Sequence, residues 1–197
     1  MIHLIILKNE AVQSSIFHVA TLGPRGTSSE YAAQSFIHTC IPSVPIDNYV
    51  HLMATFEECM VPVLEGSIQY AIVPHAYEGI HNFYMHPDLE LFQLFRCDTP
   101  MYGLAVRSDF DFEDTLLESH TIVSHPAPIS LLKYYTGKEA VFKEVRSTSI
   151  AAELVREKVY DLAITNEIAR EQNQLKFMYT FKSIPMSWSV FGRRESN

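Results

Sequence analysis

The pattern that most narrows what this chain can fold into is an alternation of short apolar runs with capped helical stretches. Phe17-His18-Val19-Ala20-Thr21-Leu22 alternates like a strand and stops at Gly23-Pro24-Arg25-Gly26, after which Thr27-Ser28-Ser29-Glu30 has the Thr-x-x-Glu form of a capping box. A helix over about residues 28–39 follows, with Tyr31, Ala32, Phe36 and Ile37 at helical spacing. A second box, Thr55-Phe56-Glu57-Glu58, opens a helix that Gly66 closes, and Gln69-Tyr70-Ala71-Ile72-Val73 then reads as a buried strand broken by Pro74. Strands at Leu91-Phe92-Gln93-Leu94-Phe95 and Tyr102-Gly103-Leu104-Ala105-Val106 flank Asp98-Thr99-Pro100, where the proline marks a crossing or a turn.

The series continues through Thr121-Ile122-Val123, which ends at Ser124-His125-Pro126 before a helix through Ser130 and Tyr134. A strand near Val141-Phe142, a Ser147-Thr148-Ser149 cap, a helix through Ala151 and Val155, the strand Tyr160-Asp161-Leu162-Ala163-Ile164 and a Thr165-Asn166 cap come next, with closing strands at residues 177–181 and 189–191. Strands alternating with helices predict an α/β fold, whose ligand sits beyond the carboxyl ends of the strands. The polar clusters Gly26-Thr27-Ser28-Ser29, Pro74-His75-Ala76-Tyr77, Ser124-His125 and Ser147-Thr148-Ser149 fall at such ends. Helix starts there offer backbone N–H groups and a favourable dipole, which suit a small dicarboxylate.

Composition removes several function classes. The 197 residues are 47% hydrophobic and 19% charged, enough for a packed core. Fifteen Lys and Arg against 23 Asp and Glu give a net charge of −8 with no basic run, so nucleic acid is not an expected partner and an acidic substrate needs local donors. Cys40, Cys59 and Cys97 form an odd set without CxxC spacing, which predicts a reducing, cytoplasmic setting. The apolar opening Met1-Ile2-His3-Leu4-Ile5-Ile6-Leu7 lacks a basic flank and meets Lys8-Asn9-Glu10 too soon for a signal peptide or membrane span, so residues 1–16 are read as a loose extension. His75, His81 and His86 are the closest histidines, in no metal-ligand spacing, and neither GxGxxG nor a P-loop occurs; no metal or other cofactor is expected. Ser124-His125 has no Gly-x-Ser-x-Gly elbow, against hydrolase chemistry. Arg96 and Arg107 end or flank strands, where each can fork onto a carboxylate or form a surface ion pair.

Taken in order, these segments resemble a known family. Leu22-Gly23-Pro24-Arg25-Gly26-Thr27-Ser28-Ser29 with Ala32-Ala33 is similar to the prephenate dehydratase signature Gly-Pro-x-Gly-Thr-Phe-Ser followed by paired alanines. Ala71-Ile72-Val73-Pro74 with Glu78-Gly79 resembles its Val-Pro-Ile-Glu-Asn-Ser segment, Ser124-His125-Pro126 its Ser-His-Pro, Ser147-Thr148-Ser149 with Ala151-Ala152 its Ser-Thr-Ala repeat, and Asp161 to Asn166 its Ala-Ala-Ile segment. The resemblance runs over residues 17–192 and implies the two-lobed type II periplasmic-binding-protein-like fold of the dehydratase catalytic domain. One lobe would hold about residues 17–97 and 181–192, the other about 98–180. The chain ends where dehydratases continue into a phenylalanine-sensing ACT domain, so none is expected.

Two departures matter. The dehydratase Thr-Arg-Phe falls on Met186-Ser187-Trp188, and Glu-Asn-Ser is shortened to His75-Ala76-Tyr77. With these changes the chain resembles the non-aromatising prephenate decarboxylases of antibiotic and peptide natural-product pathways, of bacilysin type. The segments from Arg96 to Arg107 and from Phe181 to Ser189 carry that closer match. It implies decarboxylation of prephenate without loss of water, since a Met186 thioether is only a weak acceptor and gives the ring hydroxyl no donor. Thr27, Ser28, Ser29, Ser147, Thr148 and Ser149 are then expected to hold the substrate carboxylates, with Arg96, Arg107, Ser124, Asn166, Met186 and Ser187 completing the substrate contacts. His75 ranks first as proton donor and His125 second, with Tyr77 as an orienting partner. A dehydratase giving phenylpyruvate and a non-catalytic small-anion-binding protein are the alternatives, and a homodimer is compatible with the sequence.

Overall fold

The computed structural model describes residues 4–6, 17–40 and 48–194. Along the chain run β1 (Leu4–Ile6), β2 (Val19–Leu22), α1 (Ser28–Cys40), β3 (Val50–Met53), α2 (Met60–Glu65), β4 (Tyr70–Pro74), α3 (His81–Met85), β5 (Leu89–Arg96) and β6 (Tyr102–Arg107). Then follow α4 (Leu116–Ser119), β7 (Thr121–Ser124), α5 (Ile129–Thr136), β8 (Val141–Glu144), α6 (Thr148–Arg156), β9 (Leu162–Asn166), α7 (Glu167–Gln172), β10 (Leu175–Thr180) and β11 (Ser187–Arg193). The chain divides into two compact units, the second made of Pro24–Thr27 and Pro100–Ile184 and the first of the remainder. Prolines Pro100 and Pro185 open the segments on the far side of the two later crossings.

The first unit is built on a six-stranded sheet in the order β1-β5-β11-β4-β2-β3. Its strands separate their side chains by period two. Val19, Ile72 and Val190 join Phe36 and Ile37 of α1 on one face, while Ala20, Ala71, Val73 and Phe191 join Val63 of α2 and Phe83 of α3 on the other. Trp188 is fully buried on the α1 face, its indole N–H donating to the Cys97 carbonyl at 2.9 Å. Half of the Thr55 box forms as the sequence predicts, Glu58 N–H donating to Thr55 Oγ1 at 3.2 Å, while Glu58 Oε2 accepts at 3.1 Å from the N–H of Ala54, one residue before the threonine. The helix it opens begins as a short 3₁₀ turn over Glu57–Cys59 and stops at Gly66, whose φ of 80° is left-handed.

The second unit has a five-stranded sheet in the order β10-β6-β9-β7-β8. Leu104, Val106, Ile122, Leu162 and Ile164 pack with Leu117 of α4 and Leu132 of α5. On the opposite face Ala105, Val123 and Ala163 are small because α6 and α7 press closely on them through Ala151, Ala152, Val155 and Ala169.

The alternation predicted an α/β fold, and the structure has one, in two mixed sheets: β6 runs antiparallel to β9 and β10, and β11 antiparallel to β4 and β5. One expectation is corrected. The N-terminal extension is not loose throughout, because Leu4–Ile6 pairs with β5 and satisfies that strand's outer edge. Its other residues lie outside those described.

Gly103 in β6 is required by space. A Cβ there would stand 2.5 Å from the Tyr179 carbonyl oxygen and 2.7 Å from the Phe177 ring, beside the irregularity in β10 between Phe177 and Tyr179. Gly103→Ala is therefore expected to lower stability by about 1–3 kcal/mol; urea denaturation with an unchanged midpoint would contradict this packing.

Candidate active site

Each unit gathers polar side chains at one end of its sheet, and strand direction decides which ones. In the first unit β11 runs against both β4 and β5, with Trp188 opposite Pro74 and Ser187 opposite Arg96. The start of β11 therefore meets the carboxyl ends of β4 and β5, and His75, Ser187 and Arg96 share that end. The His75 N–H donates to the Ser187 carbonyl at 3.0 Å. The Ser187 hydroxyl then lies 3.1 Å from His75 Nδ1, and the Tyr84 hydroxyl of α3 lies 3.4 Å from Nε2. An exposed imidazole is thus flanked at both nitrogens by hydroxyls, which donate or accept as its protonation requires. Met186, just before β11, is partly buried against the α1 side of the core, and its carbonyl accepts from Cys97 N–H at 3.0 Å.

Tyr77 takes a different partner from the one expected. Its hydroxyl donates to Glu57 Oε1 at 2.5 Å and its ring packs on Phe56, with centroids 4.6 Å apart. Burial, then the carboxylate, push its pKa up to about 12. Tyr84, rather than Tyr77, stands beside His75. Arg96 is exposed and paired with Asp98 at 3.2 Å. Ser28 and Ser29 begin α1, and Thr27, grouped with the second unit, is buried just ahead of them.

In the second unit the carboxyl ends of β7 and β9 carry Ser124 and Asn166. Both are fully buried and committed to the backbone. Ser124 Oγ lies 2.9 Å from the His125 carbonyl and 3.3 Å from that of Ile164. Asn166 caps α7 by accepting from Ala169 N–H at 2.9 Å, and its amide donates to the Gly26 carbonyl at 2.8 Å. Ser147 caps α6, accepting from Ile150 N–H at 3.1 Å, and the Thr148 carbonyl receives the Thr165 hydroxyl at 2.8 Å. The polar atoms of Ser124 and Asn166 thus stitch strands and helix starts together. Ser149 is buried with its hydroxyl unpartnered among the described residues.

Arg107 stands apart from these residues. Because β6 is antiparallel to β9, with Tyr102 opposite Asn166, Arg107 lies at the other end of the sheet from Ser124 and Asn166. Its guanidinium donates to the Val155 and Tyr160 carbonyls, each at 3.2 Å, and to Asp161 at 2.8 Å, so it clasps the chain entering β9.

His125 is half-buried. The Ala127 N–H donates to its Nδ1 at 3.2 Å, which fixes the proton of the neutral ring on Nε2. Burial lowers its pKa below 6.5, with Glu144 opposing in part. Among the described residues no group of three or more His, Cys, Asp or Glu is placed to hold a metal ion.

Tyr84 and Glu57 are the residues that sequence reasoning did not bring forward. Phe83 is buried, and its neighbour Tyr84 turns outward to His75.

No family model matches the chain. A prephenate decarboxylase of Bacillus subtilis (strain 168) is 56% identical over 180 residues, covering 91% of this chain and 88% of that protein. A prephenate decarboxylase of Planktothrix agardhii is 41% identical over 181 residues, covering 89% and 88%. The solved prephenate dehydratase of Arthrobacter aurescens, in complex with L-Phe, is similar in structure with a TM-score of 0.70 at 17% identity, over 91% of this chain. The chain spans 61% of that solved enzyme, and the likeness shows the fold: that of a prephenate dehydratase catalytic domain.

The lowered pKa of His125 predicts a pH effect on stability. The unfolded ring takes up a proton near 6.5 while the folded ring resists it, so the stability this group contributes is present above 6.5 and lost as pH falls through the folded value. The urea midpoint is expected to fall more between neutral and mildly acidic pH in the native protein than in His125→Gln. Equal falls would contradict the assignment.

Proposed function

The chain belongs to the prephenate decarboxylase family, and from that premise we propose that it releases carbon dioxide from prephenate and leaves the ring non-aromatic. The product is 3-(4-hydroxycyclohexa-1,5-dienyl)-2-oxopropanoate. One observation carries the non-aromatising part. The two segments that depart from the dehydratase pattern, His75-Ala76-Tyr77 and Met186-Ser187-Trp188, touch each other through the His75 and Ser187 side chains at 3.1 Å and through the His75 N–H and Ser187 carbonyl. A change in one segment thereby supports the group introduced by the other.

In the proposed reaction the bond from the ring to its carboxylate breaks, the electron pair enters the diene, and a ring carbon takes a proton. Charge and atoms balance with one proton gained and one carbon dioxide lost, so neither an oxidant nor a cofactor is required. His75 supplies the proton, with Ser187 and Tyr84 orienting its ring. Met186 withholds a donor from the ring hydroxyl, which a dehydratase must protonate to expel. A substrate carboxylate rests at the start of α1, near Ser28 and Ser29.

The reading extends to a cytoplasmic step of antibiotic or peptide natural-product biosynthesis of bacilysin type, with prephenate as the small-molecule partner. Among the described residues no helix is long and apolar enough to cross a membrane.

Incubation with prephenate is expected to give carbon dioxide and a product that keeps its hydroxyl and lacks aromatic absorbance, read by mass and ultraviolet detection. Phenylpyruvate as the main product would overturn the reading. In His75→Gln turnover is expected to fall by about 10²–10⁴-fold, with scrambled placement of solvent deuterium on the ring. Full activity with unchanged stereochemistry would remove His75 from the mechanism. Met186→Thr combined with Ser187→Arg is expected to raise phenylpyruvate as a side product.

A further inference from the structure

A cavity of about 290 Å³ lies within the second unit, against one face of α6. Ser149, Glu153 and Arg156 are spaced by four and three residues along that helix, which puts them on one side of it. The C-terminal end of α7 closes the cavity with Gln172 and Asn173, and Arg25 of the Pro24–Thr27 segment reaches it from the remaining side. That segment is held on α7: the Gly26 carbonyl receives the Asn166 amide at 2.8 Å, and Gly26 has a φ of 81°. A side chain at Gly26 would collide with Gln172, since a Cβ there would stand 2.5 Å from Oε1. Arg25 is therefore presented to the cavity by a turn whose conformation only glycine adopts readily.

Two lining groups are buried without hydrogen-bond partners among the described residues. Ser149 is 2% exposed and Asn173 6% exposed, and neither Ser149 Oγ nor Asn173 Oδ1 is satisfied. The Asn173 amide nitrogen donates to the Ala169 carbonyl at 2.8 Å, which fixes the free atom as the acceptor oxygen. Buried polar atoms left open in this way call for a partner from outside the chain, and here the two residues that carry them line one cavity.

We propose that this cavity binds a small zwitterion carrying a carboxylate and an ammonium group, of the chemical class of α-amino acids. The lining divides by hydrogen-bonding role. The Arg25 and Arg156 guanidinium groups and the Ser149 O–H are donors and suit a carboxylate, which only accepts. Glu153 and Asn173 Oδ1 are acceptors and suit an ammonium, which only donates. A dicarboxylate would set acceptors against Glu153 and Asn173, and a diamine would set donors against both arginines. Arg156 makes a half-exposed ion pair with Glu157 at 3.2 Å, which leaves other guanidinium N–H groups for a ligand. The volume stands at the lower end for small-molecule sites, which restricts the ligand to a compact one. Neither His75 nor His125 lines the cavity.

The test titrates the full, uniformly nitrogen-15-labelled chain with L-alanine and, separately, L-phenylalanine, with acetate and methylamine as single-charge controls. The signals followed are the Asn173 side-chain amide and the Arg25 and Arg156 Nε–H groups. Saturable shifts of these signals with at least one amino acid, at affinity at least about tenfold above either control, are expected. Arg156→Met and Glu153→Gln should each weaken that affinity about tenfold or more, while the remaining spectrum and prephenate turnover stay unchanged. No saturable shift with either amino acid, a control that binds as well, or native affinity in both variants would overturn the proposal.

Discussion

The arrangement of the first unit depends on where β11 lies. A strand inserted antiparallel between β4 and β5 must hydrogen-bond to both, and that register sets Ser187 opposite Arg96 and Trp188 opposite Pro74. A slip of one residue would turn Trp188, Val190 and Phe191 onto the wrong faces, exposing the large side chains that both cores need. The packing of the apolar residues therefore also fixes the position of Ser187. Its hydroxyl reaches His75 because the indole of the next residue is buried and anchored to the Cys97 carbonyl.

The second unit solves a different problem. Its α6 and α7 sit over alanines, close enough that the polar groups at their starts must be satisfied by the chain itself. Ser147 and Asn166 cap the helices, Thr165 ties β9 to the Thr148 carbonyl, and Ser124 joins two neighbouring carbonyls. Side chains that a motif reading assigns to ligand thus hold the backbone N–H groups and carbonyls in place around the helix starts.

Much of the fold was legible because strand boundaries here coincide with Gly, Pro and hydroxyl clusters, and because helix caps have local signatures. β3 was missed: Val50, His51, Leu52 and Met53 are all only partly buried, so no clean alternation marks an edge strand. The direction of β6 was not legible either, since period two is the same for parallel and antiparallel strands, and with it the end of the sheet that Arg107 occupies. In the candidate site, His75 was visible at the end of an apolar run followed by proline. Its partners were not, because Ser187 is 112 residues away and meets it only through strand pairing. The backbone contacts of Ser124 and Asn166 were not legible for a chemical reason: the oxygen that caps a helix or ties a strand is the same oxygen that would hold a ligand.

The surroundings of the two histidines separate their roles in the proposed reaction. His125 keeps Nδ1 as an acceptor for the Ala127 N–H, and burial disfavours its cation. Its one proton, on Nε2, is available for a hydrogen bond; full transfer from a neutral imidazole would leave an anion that the half-buried setting makes still more costly. His125 is thereby suited to orienting an acceptor. His75 is exposed, and each of its nitrogens faces a hydroxyl that can reverse its own hydrogen-bond direction. Such a ring can pass between cation and neutral form without stranding a partner, which is what a group that gives a proton and later recovers it from solvent requires.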